Sequence, residues 1–313
     1  WLACIYARYG SRQFLARLFD PDSHPSGSLW ESFSEAMRSR LKTESHTEST
    51  IRSSSRTYRV ADRIASGDLC EVHAASSRHG QFVLKIPRFG RCDRLLEKEQ
   101  SGLRLLHAGR DSDLYGRYLP EPVELFRGDG HSVSAFRWRD GSFTASQIRH
   151  RHPDGVDARH IGWMFNRTLE VLGFVHSHGW IHGAVVPPHL LFHVDHHGLK
   201  LIGWTHCIAD GTPLKVVSRQ FKHWYPAECH RREAAAPSTE IILAANSMIY
   251  LAGGDSDAER LPKHIPVEMA SFLGQCLEPP SSHPALAWAL HEQFRELLED
   301  TYGPAKFCHL QLS

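Results

Sequence analysis

The sequence predicts an α+β protein with two lobes, a strand-rich first lobe and a mainly helical second lobe. At roughly 150 residues per domain, a chain of 313 residues is long enough for two such units. Residues 58–140 contain short apolar runs separated by turn-forming residues, which is typical of strands. Residues 141–303 contain longer segments in which apolar residues recur at helical spacing. Strands followed by helices indicate an α+β architecture and not an alternating α/β order.

The composition excludes several classes of protein. Apolar residues make up 41% and charged residues 23% of the chain, which is ordinary for a globular protein. A net charge of +1 provides no global field that would attract nucleic acid. No apolar run approaches the length of a membrane-spanning helix, so we expect no membrane insertion. The seven cysteines are scattered and form no C-x-x-C pair, which favours reduced thiols in a cytoplasmic protein.

Two flanking segments lie outside the predicted lobes. Residues 1–57 are rich in Ser, Thr and Arg, and we interpret them as an N-terminal extension or linker, partly helical near Leu29–Leu41 or disordered. Residues 304–313 form a short tail. Because the sequence begins with Trp1 and not with Met, we expect that further sequence precedes it.

The first lobe is predicted to contain five strands and one helix. The helix extends from about Arg91 to His107. A hairpin around Gly-Asp-Gly at 128–130 joins the last two strands. The predicted strands are Tyr58–Ile64, Leu69–Ala75, Gln81–Pro87, Val123–Phe126 and His131–Trp138.

The second lobe is predicted to contain four long helices and one hairpin. The helix Thr239–Leu251 is apolar on every face, so we expect it to be buried inside the lobe. The final helix carries one apolar stripe of Leu286, Leu290, Phe294 and Leu297. The final helix is predicted at Pro284–Tyr302, and the two other helices at Asp157–Val175 and Val267–Cys276. The predicted hairpin pairs Leu190–Val194 with Leu199–Trp204.

A lysine and a glutamate are predicted to form an ion pair in the first lobe. Lys85 lies in the nearly continuous apolar strand Phe-Val-Leu-Lys-Ile, and a buried ammonium group needs a partner. Glu99 lies on the same helical stripe as Leu95 and Leu103, so its carboxylate points toward the sheet. The alternative is that Lys85 reaches solvent at a strand edge and Glu99 faces outward.

The segment before Lys85 resembles the glycine-rich loop of protein kinases. Residues 64–72, Ile-Ala-Ser-Gly-Asp-Leu-Cys-Glu-Val, precede Lys85 by the distance at which that loop precedes the kinase lysine. Only the middle glycine of the three-glycine pattern remains, as Gly67. Ala65 and Cys70 occupy the other two positions, and their side chains narrow the access of a phosphate to the backbone.

Residues 175–204 resemble the catalytic loop, hairpin and metal-binding turn of eukaryotic-type protein kinases. His182-Gly183-Ala184 stands where these kinases have His-Arg-Asp, and His189 stands at the Asn position. Gly203-Trp204-Thr205 matches Asp-Phe-Gly. The resemblance covers about residues 58–303 and implies a bilobal protein-kinase-like fold.

Further landmarks agree in order and spacing with the same family. Tyr225-Pro226-Ala227-Glu228 matches the Ala-Pro-Glu motif, and Glu240 opens the buried helix where kinases carry Asp. His283-Pro284 stands where an Arg-Pro pair normally contacts the closing Glu. The HGAV…P…H form of the catalytic loop and the ending YGPAKF also resemble a divergent bacterial branch of kinase-like proteins.

The resemblance implies a pseudokinase, because three positions lack the groups that phosphoryl transfer uses. That reaction needs a base for the acceptor hydroxyl and oxygen ligands for two metal ions. Ala184 provides no base, and Gly203 provides no side chain. His189 provides an imidazole where magnesium prefers oxygen. We therefore expect no catalytic residue and no metal site in this chain.

The resemblance also implies that nucleotide-binding positions are partly retained. Val72, Val83 and Leu191 match the apolar residues that hold an adenine ring. Lys85 and Glu99 match the ion pair that positions the phosphates. The expected role is a scaffold or allosteric regulator in signalling that binds a protein partner. The retained positions would also allow weak binding of ATP without metal.

The sequence allows three other interpretations. Eight histidines between residues 176 and 206 could suggest zinc, but zinc needs convergent ligands, and solvated or core histidines are favoured. His152-Pro153-Asp154 occurs in chaperone J-domains, but within this region we interpret it as a turn. An atypical active serine/threonine phosphotransferase that uses ATP would need substitute carboxylates such as Asp195 or Asp210.

Overall fold

The computed structural model describes residues 49–128, 130–138, 141–255, 260–278 and 286–312. Within this part of the chain both predicted lobes belong to one compact unit that begins at Thr50. The predicted helix near Leu29–Leu41 and the pair His283-Pro284 lie outside the described residues.

The first lobe is built on a six-stranded sheet with the order β1-β2-β3-β4-β6-β5. The pairs β2–β3, β3–β4, β4–β6 and β6–β5 are all antiparallel. The sheet has one strand more than predicted, because β1 lies in the segment interpreted as linker. The strands are β1 Ser49–Arg52, β2 Thr57–Ser66, β3 Cys70–Ser77, β4 Gly80–Pro87, β5 Pro122–Gly128 and β6 His131–Arg137.

The strand β4 is buried on both faces of this sheet. Phe82 and Leu84 pack into an apolar cluster with Tyr58, whose ring lies edge-on to Phe82 at 5.2 Å. Lys85 points to the opposite face, where helix α1 (Asp93–Ala108) covers the sheet. The predicted helix and the position of Lys85 are thus both found.

The second lobe is mainly helical, as predicted. Its helix α6 (Pro237–Leu251) is buried on nearly every side, because residues from Thr239 to Leu251 contact neighbouring elements all around it. The helices after α1 are α2 Ser112–Tyr115, α3 Ala145–Arg151, α4 Ala158–Ser177, α5 Ala227–His230, α6 Pro237–Leu251, α7 Val267–Leu277 and α8 Ala287–Tyr302.

Two small sheets complete the second lobe. One has the order β10-β9-β7 and includes the predicted hairpin. The other pairs β11 with β8. The strands are β7 Ser142–Thr144, β8 Trp180–Ile181, β9 Leu190–His193, β10 Gly198–Leu201 and β11 Ile208–Ala209. None of the described helices is long and apolar enough to cross a membrane.

The last helix and the tail differ from the expectation in detail. Leu286 was predicted on the buried stripe of α8 but precedes the helix and is 63% exposed, whereas Phe294 is fully buried. The tail packs onto the second lobe, where Leu310 is buried. The imidazole Nε2 of His197 donates to the Cys308 carbonyl at 2.7 Å. The residues after α8 are therefore part of the packed structure.

Candidate functional site

The predicted ion pair lies between the sheet of the first lobe and helix α1. Lys85 Nζ and Glu99 Oε1 are 2.5 Å apart, and both side chains are buried. Burial raises the pKa of the Glu99 carboxyl, while the Lys85 ammonium acts in the opposite direction. The second carboxylate oxygen, Oε2, has no hydrogen-bond partner among the described residues. The ion pair therefore links helix α1 to strand β4 of the sheet.

Helix α1 also packs against the turn that matches the kinase metal-binding turn. In that turn Trp204 is fully buried, and its ring lies edge-to-face with His182 at 4.9 Å. Leu103 of α1 is buried in the same apolar cluster. These contacts join the helix, the catalytic-loop position and the turn.

A buried glutamate holds the backbone of the catalytic-loop position. Glu240, at the start of α6, accepts hydrogen bonds from the backbone N–H of Gly183 at 2.7 Å and of His182 at 3.1 Å. The imidazole Nε2 of His176 is 2.9 Å from the same carboxylate. Nothing in the sequence distinguishes His176 from the other histidines of this stretch, so its contact with Glu240 was not predicted.

The three substituted positions, Ala184, His189 and Gly203, lie side by side. The Nδ1 of His189 is 2.8 Å from the carbonyl oxygen of Ala184, to which it donates. The same ring lies directly on Gly203, because a Cβ atom added there would be 2.5 Å from its carbon atoms. Any side chain at residue 203 would collide with the imidazole. The histidine thus fills the space in which a metal-binding aspartate would begin.

This arrangement does not fit a pair of magnesium ions. The side chains at the three positions are a methyl group, an imidazole and a hydrogen atom, none of which provides a hard oxygen ligand. In the described part of the chain no three His, Cys, Asp or Glu side chains are grouped so that they could hold a metal ion. No catalytic step through a metal can be derived from these residues.

Three histidines form a cluster in this region. The ring of His189 lies 5.9 Å from His182 and 5.7 Å from His206. Burial lowers the pKa of His189 to about 3 and that of His206 to about 4. Burial also lowers the pKa of His182, well below its usual value. All three imidazoles are therefore neutral near pH 7, and the nearby Lys85 ammonium opposes their protonation.

The glycine-rich loop closes on itself and on the second lobe. The backbone N–H of Gly67 donates to the Cys70 carbonyl at 2.9 Å, so it is not available to a phosphate. Asp68 Oδ2 accepts a hydrogen bond from the backbone N–H of Arg219 at 2.7 Å. This bond, across 151 residues of sequence, ties the loop to the segment that precedes Tyr225. The sequence analysis did not predict this hydrogen bond between Asp68 and Arg219.

The positions that match an adenine site come from both lobes. Val72 on β3 is the register partner of Lys85, and Val83 is two residues before it on β4. Leu191 belongs to β9 in the second lobe and is 7% exposed. Val72 and Val83 are partly buried. The structure therefore places two of these residues on adjacent strands of the first lobe and the third on a strand of the second lobe.

The segment that matches the kinase activation segment is tethered to the catalytic-loop position. The hydroxyl of Tyr225 donates to the Gly183 carbonyl at 3.0 Å and accepts from the Ser218 backbone N–H at 3.2 Å. Glu228 pairs with Arg231 at 3.6 Å, while its predicted partner His283 lies outside the described residues. Gly183 and Ser218, the two hydrogen-bond partners of Tyr225, are both buried.

The two acids proposed as substitute carboxylates have other partners. Asp195 Oδ1 is 3.2 Å from His309 Nε2 in the tail. Asp210 is exposed and accepts from the Gly211 backbone N–H at 2.8 Å. Asp68, which the sequence analysis did not single out, is the acid that raises the pKa of His189 against the dominant effect of burial.

The contact between His189 and Gly203 makes a quantitative prediction for Gly203→Ala. Gly203 has φ +90°, a left-handed conformation that costs other residues about 1–2 kcal/mol. The collision with the His189 ring adds about 1–3 kcal/mol of overpacking. We expect Gly203→Ala to lower the free energy of unfolding by about 2–5 kcal/mol in urea titrations.

Gly179→Ala is a matched control for this prediction. Gly179 has φ +71°, but an added Cβ would meet no atom within 4 Å, so only the backbone strain applies. In a double-mutant cycle, His189→Ala should relieve at least about 1 kcal/mol of the Gly203→Ala cost. Equal costs for the two glycine substitutions, or no coupling with His189, would contradict the contact.

The strand-rich lobe, the helical lobe and the buried Lys85–Glu99 pair between sheet and helix define the fold of a protein kinase domain. Two solved structures share this fold. The structure of vaccinia related kinase 3 has a TM-score of 0.65 and 13% identity and covers 85% of this chain and 96% of that chain. The crystal structure of the BubR1 kinase domain has a TM-score of 0.63 and 13% identity over 88% of this chain and 94% of that chain.

The comparisons concern the fold alone, because the sequences differ at most positions. No family model matches the chain. No curated protein sequence matches it either. The predicted protein-kinase-like fold is confirmed.

Proposed function

We propose that this chain is a pseudokinase domain that acts by binding a protein partner, as a scaffold or an allosteric regulator. The observation that carries the proposal is the contact of the His189 ring with Gly203, which fills the space of a metal-binding side chain. Phosphoryl transfer depends on positioning and on neutralising charge at the phosphates. Residues 184, 189 and 203 carry no side-chain oxygen, so they provide neither the base nor the metal ligands that this reaction uses.

The retained features support a binding role. Helix α1 is held by the Lys85–Glu99 pair, and the Tyr225 hydroxyl holds the segment beside Gly183. The domain therefore presents a defined surface although its catalytic positions are degenerate. With Val72, Val83 and Leu191 in place, Lys85 could bind ATP weakly without metal. We further propose a cytoplasmic signalling protein of a divergent bacterial branch, which the scattered cysteines and the HGAV form of the loop favour.

The proposal is tested by nucleotide binding and phosphotransfer on the same protein. We expect a thermal shift with ATP that does not depend on magnesium, and no incorporation of label from radiolabelled ATP. The control is Lys85→Met/Glu99→Leu, in which neither charge is left unpaired. Magnesium-dependent incorporation that disappears in this control would show an active enzyme and refute the proposal.

A restored variant provides the positive comparison. Ala184→Asp/His189→Asn/Gly203→Asp returns the three oxygen-bearing side chains, and removal of the His189 ring makes room for the new carboxylate. Asp is among the residues that tolerate a positive φ. We expect this variant to gain a magnesium-dependent thermal shift with ATP. If the unaltered protein shows an equal shift, the three positions do not decide metal binding.

The second candidate function is an atypical serine/threonine phosphotransferase, and one observation favours it. Asp68 places a carboxylate in the glycine-rich loop, and its negative charge raises the pKa of His189 against the larger effect of burial. Its Oδ2 is engaged by the Arg219 backbone N–H, so a catalytic role would require this hydrogen bond to open. Activity that is lost in Asp68→Asn would support this second function.

A further inference from the structure

A pocket of about 720 Å³ lies at one end of the sheet of the first lobe. The turn between β1 and β2 forms one side, and the turn between β3 and β4 forms the other. Every residue that lines it carries a hydroxyl group or a basic side chain, and none is acidic. The pocket shares no residue with the positions that match the kinase catalytic and nucleotide sites.

The basic side chains of this pocket fall into two groups. Arg56 is neutralised, because it lies 3.5 Å from Glu124, which also accepts hydrogen bonds from Ser53 and Ser55. Arg59 and Arg78 are exposed, and no acidic side chain of the described residues pairs with either of them. Two guanidinium groups on the rim thus carry charge that the surrounding structure does not compensate.

The strand pairing places Arg59 beside Ser76, which also lines the pocket. Arg59 on β2 is the register partner of Ser76 on β3, and Arg78 follows two residues later in the turn. The Nε of Arg78 donates to His79 Nε2 at 3.0 Å, which leaves its terminal nitrogens available and orients the side chain at the turn. The backbone N–H of His79 bonds to Ser77 Oγ at 3.0 Å, which fixes this turn.

The donor set is one that suits a phosphate group. A guanidinium group presents paired N–H donors that match two oxygens of a phosphate, and hydroxyl groups can donate to the remaining oxygen. A phosphate monoester carries close to two negative charges at neutral pH, which equals the uncompensated charge of Arg59 and Arg78. We propose that this pocket binds a phosphate group, either free or on a phosphorylated serine. This inference does not depend on the proposed pseudokinase function.

Calorimetric titration of the full chain tests the proposal. The probes are inorganic phosphate, a short peptide with one phosphoserine, and the same peptide without phosphate. We expect binding of a phosphate-bearing probe that weakens about 10-fold or more in Arg59→Ala and in Arg78→Ala, since each substitution removes charge-assisted hydrogen bonds to the phosphate. Tighter binding of the phosphopeptide than of inorganic phosphate would identify a peptide ligand, and equal binding would identify a small-anion site.

The controls separate this site from general charge effects. Arg104→Ala removes an exposed arginine on α1 that does not line the pocket, and it should leave binding unchanged. Thermal unfolding of each variant establishes that it is folded, which we expect because Arg59 and Arg78 are both exposed. Absence of binding by both phosphate-bearing probes at millimolar concentration would overturn the proposal. Equal binding of the unphosphorylated peptide, or binding that neither pocket substitution weakens, would also overturn it.

Discussion

Glu99→Gln is expected to lower the free energy of unfolding by about 3–5 kcal/mol, because it leaves the Lys85 ammonium buried without its partner. Lys85 is 9% and Glu99 is 1% exposed, so water cannot replace the lost interaction. Replacing both residues, as in Lys85→Met/Glu99→Leu, removes the charges together and should recover most of this loss. Urea unfolding of the single and double variants measures both effects.

An exposed residue of the same helix provides the control. Glu97→Gln changes the same chemical group on the outer face of α1, where a substitution usually costs less than about 0.5 kcal/mol. A loss below about 1 kcal/mol for Glu99→Gln would mean that the pair contributes little to the fold. An equal loss in the double variant would show that volume, and not charge, dominates at this position.

Acidification from pH 6.5 to 5 is expected to lower the free energy of unfolding by about 4 kcal/mol. His182, His189 and His206 have lowered pKa values in the folded chain, so they stay neutral where the unfolded chain binds protons. The stability they contribute is complete above about pH 6.5 and falls by about 1.4 kcal/mol per pH unit for each histidine. Glu99, whose pKa burial raises, acts in the opposite direction and makes the net loss smaller than the sum over the three histidines.

Other charged groups around the cluster act on the same equilibrium. Lys85 opposes protonation of all three rings, while Asp68 favours protonation of His189. Three further histidines with pKa values lowered by burial add to the loss at acidic pH: His160, His197 and His291. The net direction is therefore loss of stability as the pH falls.

His206→Leu is the informative variant for this pH dependence. The Nε2 of His206 has no hydrogen-bond partner among the described residues, and its Nδ1 is 3.4 Å from the Gly203 carbonyl, so little bonding is lost. The variant should reduce the slope of the free energy of unfolding against pH by about 1.4 kcal/mol per pH unit. His264→Gln, at an exposed position, should leave the slope unchanged. An unaltered slope in His206→Leu would refute the contribution of the cluster.

Burial and periodicity were sufficient to predict much of the fold. The apolar strand around Lys85 and the helical stripe of Glu99 predicted an ion pair that the structure contains at 2.5 Å. The helix expected from Arg91 to His107 is found at Asp93–Ala108. These elements could be predicted because their signals are local and because the cost of burying an unpaired charge is large.

The strand β1 shows why other elements could not be predicted. Its four residues, Ser-Thr-Ile-Arg, contain a single apolar side chain in a segment rich in Ser and Thr. Ile51 is buried because it packs against Gly128, where an added Cβ would be 2.5 Å from its methyl carbon. Because Gly128 in β5 is a glycine, β1 can pack closely beside it. Such a contact between distant residues has no local sequence signal.

The sequence alone determined the fold class and the chemical groups at residues 184, 189 and 203, because residue type sets which atoms are available. Only the tertiary structure decided how these groups are arranged. It placed the His189 ring on Gly203 and connected Asp68 to the backbone of Arg219. Both contacts depend on how the lobes and loops pack, since side-chain direction and the approach of residues far apart in the chain are set by the packed structure and not by local preference.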